Sequence, residues 1–269
     1  MKPDLQARQI RVSYQTLHAA FGPQHWWPGR TRFEVIVGAY LTQNTSWQNV
    51  DLALRRLRSK RALSLQAIRE LPLRELATII RPAGYFRQKA ARLKRFVDFV
   101  DGHYGGSLKR MFAQPTAKLR QELLSLNGIG PETADSILLY AGQHPVFVVD
   151  AYTRRIVDRH GILPGNQPYE EMRELFENAL GNVSSDRVPG PTKFSLTVAA
   201  TSHRPSPMSR APRTPAAERF NQAHALIVAV GKHYCFKSDP ACKLCPLGTF
   251  LPEAQSRQFR SDNSQNQNV

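Results

Sequence analysis

The segment SLNGIGPETADSILLYA, residues 125–141, constrains the fold more than any other part of this chain. Two glycines one residue apart stand between two apolar runs of helical period. Leu119, Leu123 and Leu126 share one face before the turn; Ala134, Ile137, Leu138 and Ala141 repeat at i, i+3, i+4 and i+7 after it. Gly128 suits a positive φ in the tight turn, and Gly130 lets the backbone come close to something outside it. Pro131 fits the first helical position, where no N–H is missed. The N–H groups of Gly130 and of the helix start then point outward along the helix dipole and make an anion site. The segment therefore reads as two helices joined by a turn with an anion site at its tip.

Charge suggests which anion. Lys and Arg outnumber Asp and Glu by 37 to 21, a net charge of +16. Such an excess favours a polyanionic partner, nucleic acid before others. The charge is clustered: RRLRSKR (55–61) holds five basic residues, and RPAGYFRQKAARLKR (81–95) holds six with no acid. No apolar run approaches the roughly 18 residues of a membrane span. The start, MKPDLQARQI, has an acid and lacks the apolar run of a secretion signal. These features lead us to expect a soluble, cytoplasmic protein with no membrane partner.

Helical signals run through the first 185 residues. Thr31 and Glu34 form a capping box that opens a helix carrying Phe33, Ile36, Val37, Tyr40 and Leu41 at helical spacing. Further helices are expected near 46–59, 65–70, 73–80, 87–102 and 116–126. The best strand candidate, PVFVVD (145–150), is short. From Asp186 the composition changes: residues 187–217 hold six prolines, five basic residues and no acid. We read 186–218 as a flexible basic insertion. Helical spacing returns in AERFNQAHALIVAVGKHYC, and the Gln-, Asn- and Ser-rich tail, 252–269, reads as disordered.

LNGIGPETAD (126–135) followed by VVDAYTRRI (148–156) resembles the helix-hairpin-helix DNA glycosylases of the endonuclease III type. The resemblance spans residues 20–182 and 219–247. It implies an all-α fold of two helical domains. One is a six-helix barrel, 30–141, ending in the hairpin; the other is formed by 1–29 and 142–250 and carries a cysteine loop. It implies a monomer acting on the nucleoid, bound to double-stranded DNA that contains a damaged base, with one nucleotide flipped out of the stack. The DNA contacts it implies are Gln43, Gly128, Ile129, Gly130 and Thr133, with Gln43 filling the gap that the flipped nucleotide leaves.

Asp150 alone would make a good N-cap for AYTRRIVDRHG, a helix ending at Gly161. The resemblance places the family's catalytic carboxylate there. Cleaving an N-glycosidic bond builds positive charge on the sugar, which a carboxylate can stabilise or relieve by activating water. Bifunctional relatives carry, at the position of Glu132, a lysine that attacks the sugar and forms an imine. A carboxylate cannot form that bond, so Glu132 argues for water as nucleophile. Lys89 and Lys94 are other amines in reach of the argument, but neither matches the motif.

All three tryptophans lie near the start, in HWWPG (25–29) and LTQNTSW (41–47). Taken together, Trp26, Trp27 and Trp47 are similar to the base pocket of the superfamily's 3-methyladenine glycosylases, where electron-rich rings favour a cationic alkylated purine. Cys235, Cys242 and Cys245, spaced C-x6-C-x2-C, match three of the four ligands of the family's [4Fe–4S] cluster; the fourth position is Leu251. His233, another side chain or solvent would complete a cluster, zinc on three cysteines and a histidine is an alternative, and inert thiols are the third. The reading is a monofunctional base-excision glycosylase for alkylated purines. The alternatives are an endonuclease III-like glycosylase and abasic-site lyase acting on oxidised pyrimidines, and a non-catalytic DNA-binding protein.

Overall fold

The computed structural model describes residues 3–181 and 205–252, and all regular structure among them is helical. In chain order the helices are α1 (Pro3–Phe21), α2 (Arg32–Thr42), α3 (Trp47–Ser59), α4 (Leu65–Glu70), α5 (Leu73–Ile79), α6 (Phe86–Tyr104), α7 (Leu108–Met111), α8 (Thr116–Leu124), α9 (Pro131–Ser136), α10 (Ala151–Arg159), α11 (Tyr169–Gly181) and α12 (Pro215–His233). Helix α9 runs on as a π-helical turn, Ile137–Gly142. The chain forms two compact units: Trp27–Val146 with Pro205–Thr214, and a second containing 3–26, 147–181 and 215–252.

In the first unit the capping box forms as expected. Thr31 Oγ1 accepts from Glu34 N at 3.1 Å and sets the start of α2. Every residue from Phe33 to Leu41 is buried, so α2 is enclosed on all sides. Helices α3, α6 and α9 pack around it. Two charges are enclosed with them. Glu34 pairs with Arg58 at 2.7 Å. The Lys89 amine, 1% exposed as a residue, donates to Leu41 O (2.9 Å), Thr45 Oγ1 (2.7 Å) and Ala83 O (2.7 Å). Three donors meet three acceptors, which accounts for an ammonium in this place. Burial, with Arg92 nearby, still pulls its pKa down to about 8.

The hairpin is held by a buried ion pair: Arg120 grips both oxygens of Asp135, at 2.7 and 3.1 Å, and Asp135 is fully buried. The pair joins α8 to α9 on the two sides of the glycine turn. Gly128 has φ +88°, and a Cβ there would lie 2.1 Å from Arg92 Nε. Gly130 has ordinary backbone angles (φ −94°), and a Cβ there would meet nothing within 4 Å. The two glycines thus have different reasons, one internal and one facing open space.

The second unit is built on α12, which is buried from Ala223 through Gly231 and packed by α1, α10 and α11. Helix α1 went unremarked in the sequence because its buried stripe is thin, only Ile10, Leu17 and Phe21. The best strand candidate of the sequence, 145–150, is irregular, in keeping with the all-α expectation. Val146 to Val149 are buried without a ladder: Phe147 N donates to Glu177 Oε1 (2.9 Å), Val149 N to Tyr169 OH (3.3 Å) and Val146 N to the His144 carbonyl (2.9 Å).

The presumed insertion needs correcting in its second half. Residues 186–204 and the tail from 253 lie outside the described residues, but 205–218 hold defined places. Ser206 Oγ donates to Trp27 O (3.1 Å), Met208 is buried, and the Arg213 guanidinium bonds the carbonyl of Met208 at 2.8 Å. Pro215 then opens α12, a position that suits proline's missing N–H.

The glycine difference is testable by denaturant unfolding. Gly128→Ala should lower stability by about 2–4 kcal/mol, combining left-handed strain with displacement of Arg92. Gly130→Ala should lower it by less than about 1 kcal/mol. Equal losses would refute the distinction.

Candidate active site

Asp150 stands at the N-cap of α10, in extended backbone (φ −110°, ψ −177°). Its Oδ1 accepts from Thr153 N at 2.7 Å and from Thr153 Oγ1 at 2.9 Å. Its Oδ2 lies 3.5 Å from Nε2 of His224 on α12. Burial pushes this carboxyl upward, but the charge of His224 and the donors from His224 and Thr153 outweigh it, and the group sits below the usual carboxylate range. The N-cap and an ionised, oriented carboxylate are therefore one arrangement. The cap uses one oxygen, and the other faces His224.

Two further residues share that unit. Lys232, two turns beyond His224 on α12, places its amine 5.8 Å from the centre of the Trp26 ring. Burial lowers the Lys232 pKa, with the Asp150 charge acting in the opposite direction. The sequence offered no hint of His224 or Lys232. A lone histidine in an apolar helix has no local pattern that ties it to a carboxylate so far away in the chain.

In the hairpin unit, Trp27 meets Trp47 edge-on (centroids 5.1 Å, 82°) and lies against Tyr140 (5.2 Å, 39°). Gly38 makes room for it, since a Cβ there would come within 3.1 Å of the indole. Trp27 is buried and Trp47 partly exposed, so the cluster is core on one side and accessible on the other. Tyr140 was not singled out in the sequence, because it sits within a continuous apolar run.

Gln43 follows α2 and reads the hairpin directly. Its Nε2 donates to Gly128 O (2.9 Å) and Thr133 Oγ1 (3.0 Å), while its Oε1 accepts from Arg92 (2.8 Å). Ile129 is buried and spends its N–H on Leu126 O at 3.0 Å, so its side chain is part of the core. Thr133 is likewise buried. The exposed backbone of the turn is at Gly130 and the first turn of α9, where helix N–H groups lack intrahelical acceptors. Glu132 is exposed in that turn. Tyr85, at the head of the basic helix α6, is 67% exposed with φ +42°.

Both alternative amines are hydrogen-bonded to backbone carbonyls. Lys89 is enclosed by its three acceptors, and Lys94 Nζ donates to Arg69 O at 2.8 Å.

The cysteines give a mixed picture. Cys235 is buried, and its sulfur accepts from Arg159 at 3.0 Å. Burial pushes the Cys245 thiol up to about 11. His233 is exposed at the end of α12, and Leu251 holds the place of a fourth thiolate. Among the described residues no three His, Cys, Asp or Glu side chains converge as a metal site would require. A tetrathiolate cluster needs four ligands, and this donor set does not fit one. No step below runs through such a group.

Comparisons with known proteins agree with this geometry. Residues 37–181 match the model of the HhH-GPD superfamily base excision DNA repair proteins. A Methanocaldococcus jannaschii protein, provisionally named a DNA repair glycosylase, is 38% identical over 238 residues, covering 88% of this chain and 93% of that one. Endonuclease III of Sulfolobus acidocaldarius is 24% identical, covering 81% of this chain and 82% of that one. Among solved structures, the H. pylori 3-methyladenine DNA glycosylase bound to 1,N6-ethenoadenine superposes with a TM-score of 0.64 at 27% identity, over 84% of this chain and 97% of that one. An endonuclease III–DNA complex reaches 0.69 at 21% identity, over 94% and 98% of the two chains, and speaks for the fold alone. With the hairpin, the capped Asp150 and this degree of similarity, the chain belongs to the HhH-GPD superfamily of base excision DNA repair proteins.

Proposed function

We propose that the protein is a monofunctional DNA glycosylase that hydrolyses the N-glycosidic bond of alkylated purines. The observation that carries the reading is the set of amines and acids available. Glu132 stands in the hairpin where a lyase needs a lysine, and Lys89 is enclosed. The ionised carboxylate of Asp150 remains as the group suited to a sugar cation.

In this reading double-stranded DNA is held by basic residues of α3 and α6 and by the backbone at Gly128 and Gly130, and the damaged nucleotide is flipped. Gln43 and Tyr85 are the exposed or half-exposed side chains suited to the gap it leaves. Trp26, Trp27 and Trp47 take the base. A 3-alkylated purine is already cationic, so it departs as a neutral base when its C1′–N bond breaks and keeps the bonding pair. Positive charge develops on the sugar, Asp150 stabilises it, and water adds at C1′. The proton that water loses passes through Asp150 to solvent. The products are a free base and an intact strand with an abasic site. The protein would act as a monomer in the cytoplasm, on the DNA of the nucleoid.

The likeness to a solved 3-methyladenine DNA glycosylase supports the substrate class, and relatives named endonuclease III favour the lyase alternative. Glu132 weighs against the latter. The thiol set leads us to infer that any bound iron falls short of a full cluster.

Two outcomes check these statements. Asp150→Asn, which preserves a good N-cap, should lower single-turnover base release from a 3-methyladenine duplex by at least about 100-fold. Affinity for that duplex should stay within a few-fold. Release at near the original rate would remove Asp150 from the reaction. In protein purified without oxygen, iron should be well below the four atoms of a cubane cluster. A full complement on the unaltered chain would contradict the misfit.

A further inference from the structure

The two oxygens of Asp150 have different neighbours. Oδ1 is occupied by two donors from Thr153. Oδ2 faces His224, a residue 5% exposed in the middle of α12. The imidazole is fixed by its neighbours: its ring packs edge-on against Phe147 (6.2 Å, 71°), and Phe147 in turn stacks on Phe176 (4.3 Å, 8°) and meets Phe220. An imidazole held by apolar rings has little freedom to leave the carboxylate.

We propose that His224 is a positioning residue for base release, holding the Asp150 carboxylate ionised and fixed through its Oδ2 oxygen. The inference rests on Asp150 being the reacting carboxylate. The physical reason is the cost of burial. A carboxylate with a side chain 13% exposed is disfavoured by desolvation, and Thr153 supplies only neutral donors. His224 is the partner that can offer charge as well as a donor at ion-pair distance.

Other ionisable groups on the elements around the pair have their own partners or act at longer range. Glu177 on α11 caps Phe147 N and pairs with Arg173 at 2.6 Å. Tyr14 on α1 feels Arg219 and Glu218. Lys232 on α12 interacts with Asp150 through charge and sits over Trp26. On α10, Thr153 contributes its hydroxyl alone. Of these, only His224 touches Oδ2.

The sign of the pH effect follows. Base release requires ionised Asp150, so activity falls as pH drops through the carboxyl's midpoint. Removing His224 leaves burial acting with less opposition, the midpoint rises, and the acid limb of the rate profile moves to higher pH. A purely structural role for His224 would lower the rate equally at all pH values.

The experiment is a carbon-13 NMR titration of the Asp150 carboxyl in the full chain, alongside single-turnover base release from a 3-methyladenine duplex between about pH 4.5 and 8.5. In His224→Ala we expect the carboxyl midpoint and the acid limb to rise together by about one pH unit or more. At pH 8 the rate should fall by a smaller factor than at pH 5. His224→Gln, which keeps a donor and loses the charge, should shift both by less, and it serves if the alanine variant fails to fold. An unmoved carboxyl midpoint in a folded variant overturns the proposal. A midpoint that moves while the acid limb stays fixed supports the pair and overturns the assignment of Asp150 on which it rests.

Discussion

The guanidinium of Arg92 lies where a side chain at residue 128 would begin, and much of the hairpin unit depends on that exclusion. Because residue 128 is glycine, Arg92 can reach Gln43, and Gln43 can reach both Gly128 O and Thr133. One missing Cβ therefore ties α6, the end of α2 and the hairpin into a single network. The buried Arg120–Asp135 pair does the same work on the other side of the turn. The Lys89 ammonium anchors the loop that carries Gln43, through Thr45 and the Leu41 carbonyl of α2. The residues we assign to DNA are thus held by buried, mutually satisfied polar contacts, with little left to side-chain flexibility.

Asp150 shows the same economy in the second unit. A helix start needs an acceptor, and the proposed reaction needs an ionised acceptor; one carboxylate meets both needs. In the buried run before it, the N–H groups of Phe147 and Val149 are capped by side chains of Glu177 and Tyr169. That fixes the carboxylate's height relative to α11, while His224 fixes it relative to α12. Three helices therefore converge on one residue.

What the sequence revealed and what it hid divide along a physical line. Features written within one helical turn were legible: the Thr31 capping box, the paired glycines, Pro131, and Asp150 three residues before Thr153. Features that need distant partners were not. His224 and Lys232 act on Asp150 and Trp26 from the far end of the chain, and Arg92 looked like one more cation in a basic helix. PVFVVD is the best strand candidate in the sequence because buried β-branched residues imitate one, while the N–H groups of Phe147 and Val149 find side chains. Residues 205–218 were misread because proline content suggested flexibility. In the structure Arg213 ties the turn's carbonyls and Pro215 opens a helix. The Cys235–Cys245 spacing looked like a cluster loop, yet spacing alone cannot supply a fourth ligand.

The central claim is that this site releases a base with water and leaves the strand whole. It is tested most directly by incubating the protein with a duplex carrying one 3-methyladenine and dividing the product. One half is analysed for free base, and the other for strand breaks before and after alkali. The account predicts free 3-methyladenine in amounts equal to the alkali-labile sites, with the strand intact until alkali is added. Strand breaks that match base release without alkali would contradict it, and would mean that an amine other than one at position 132 attacks the sugar.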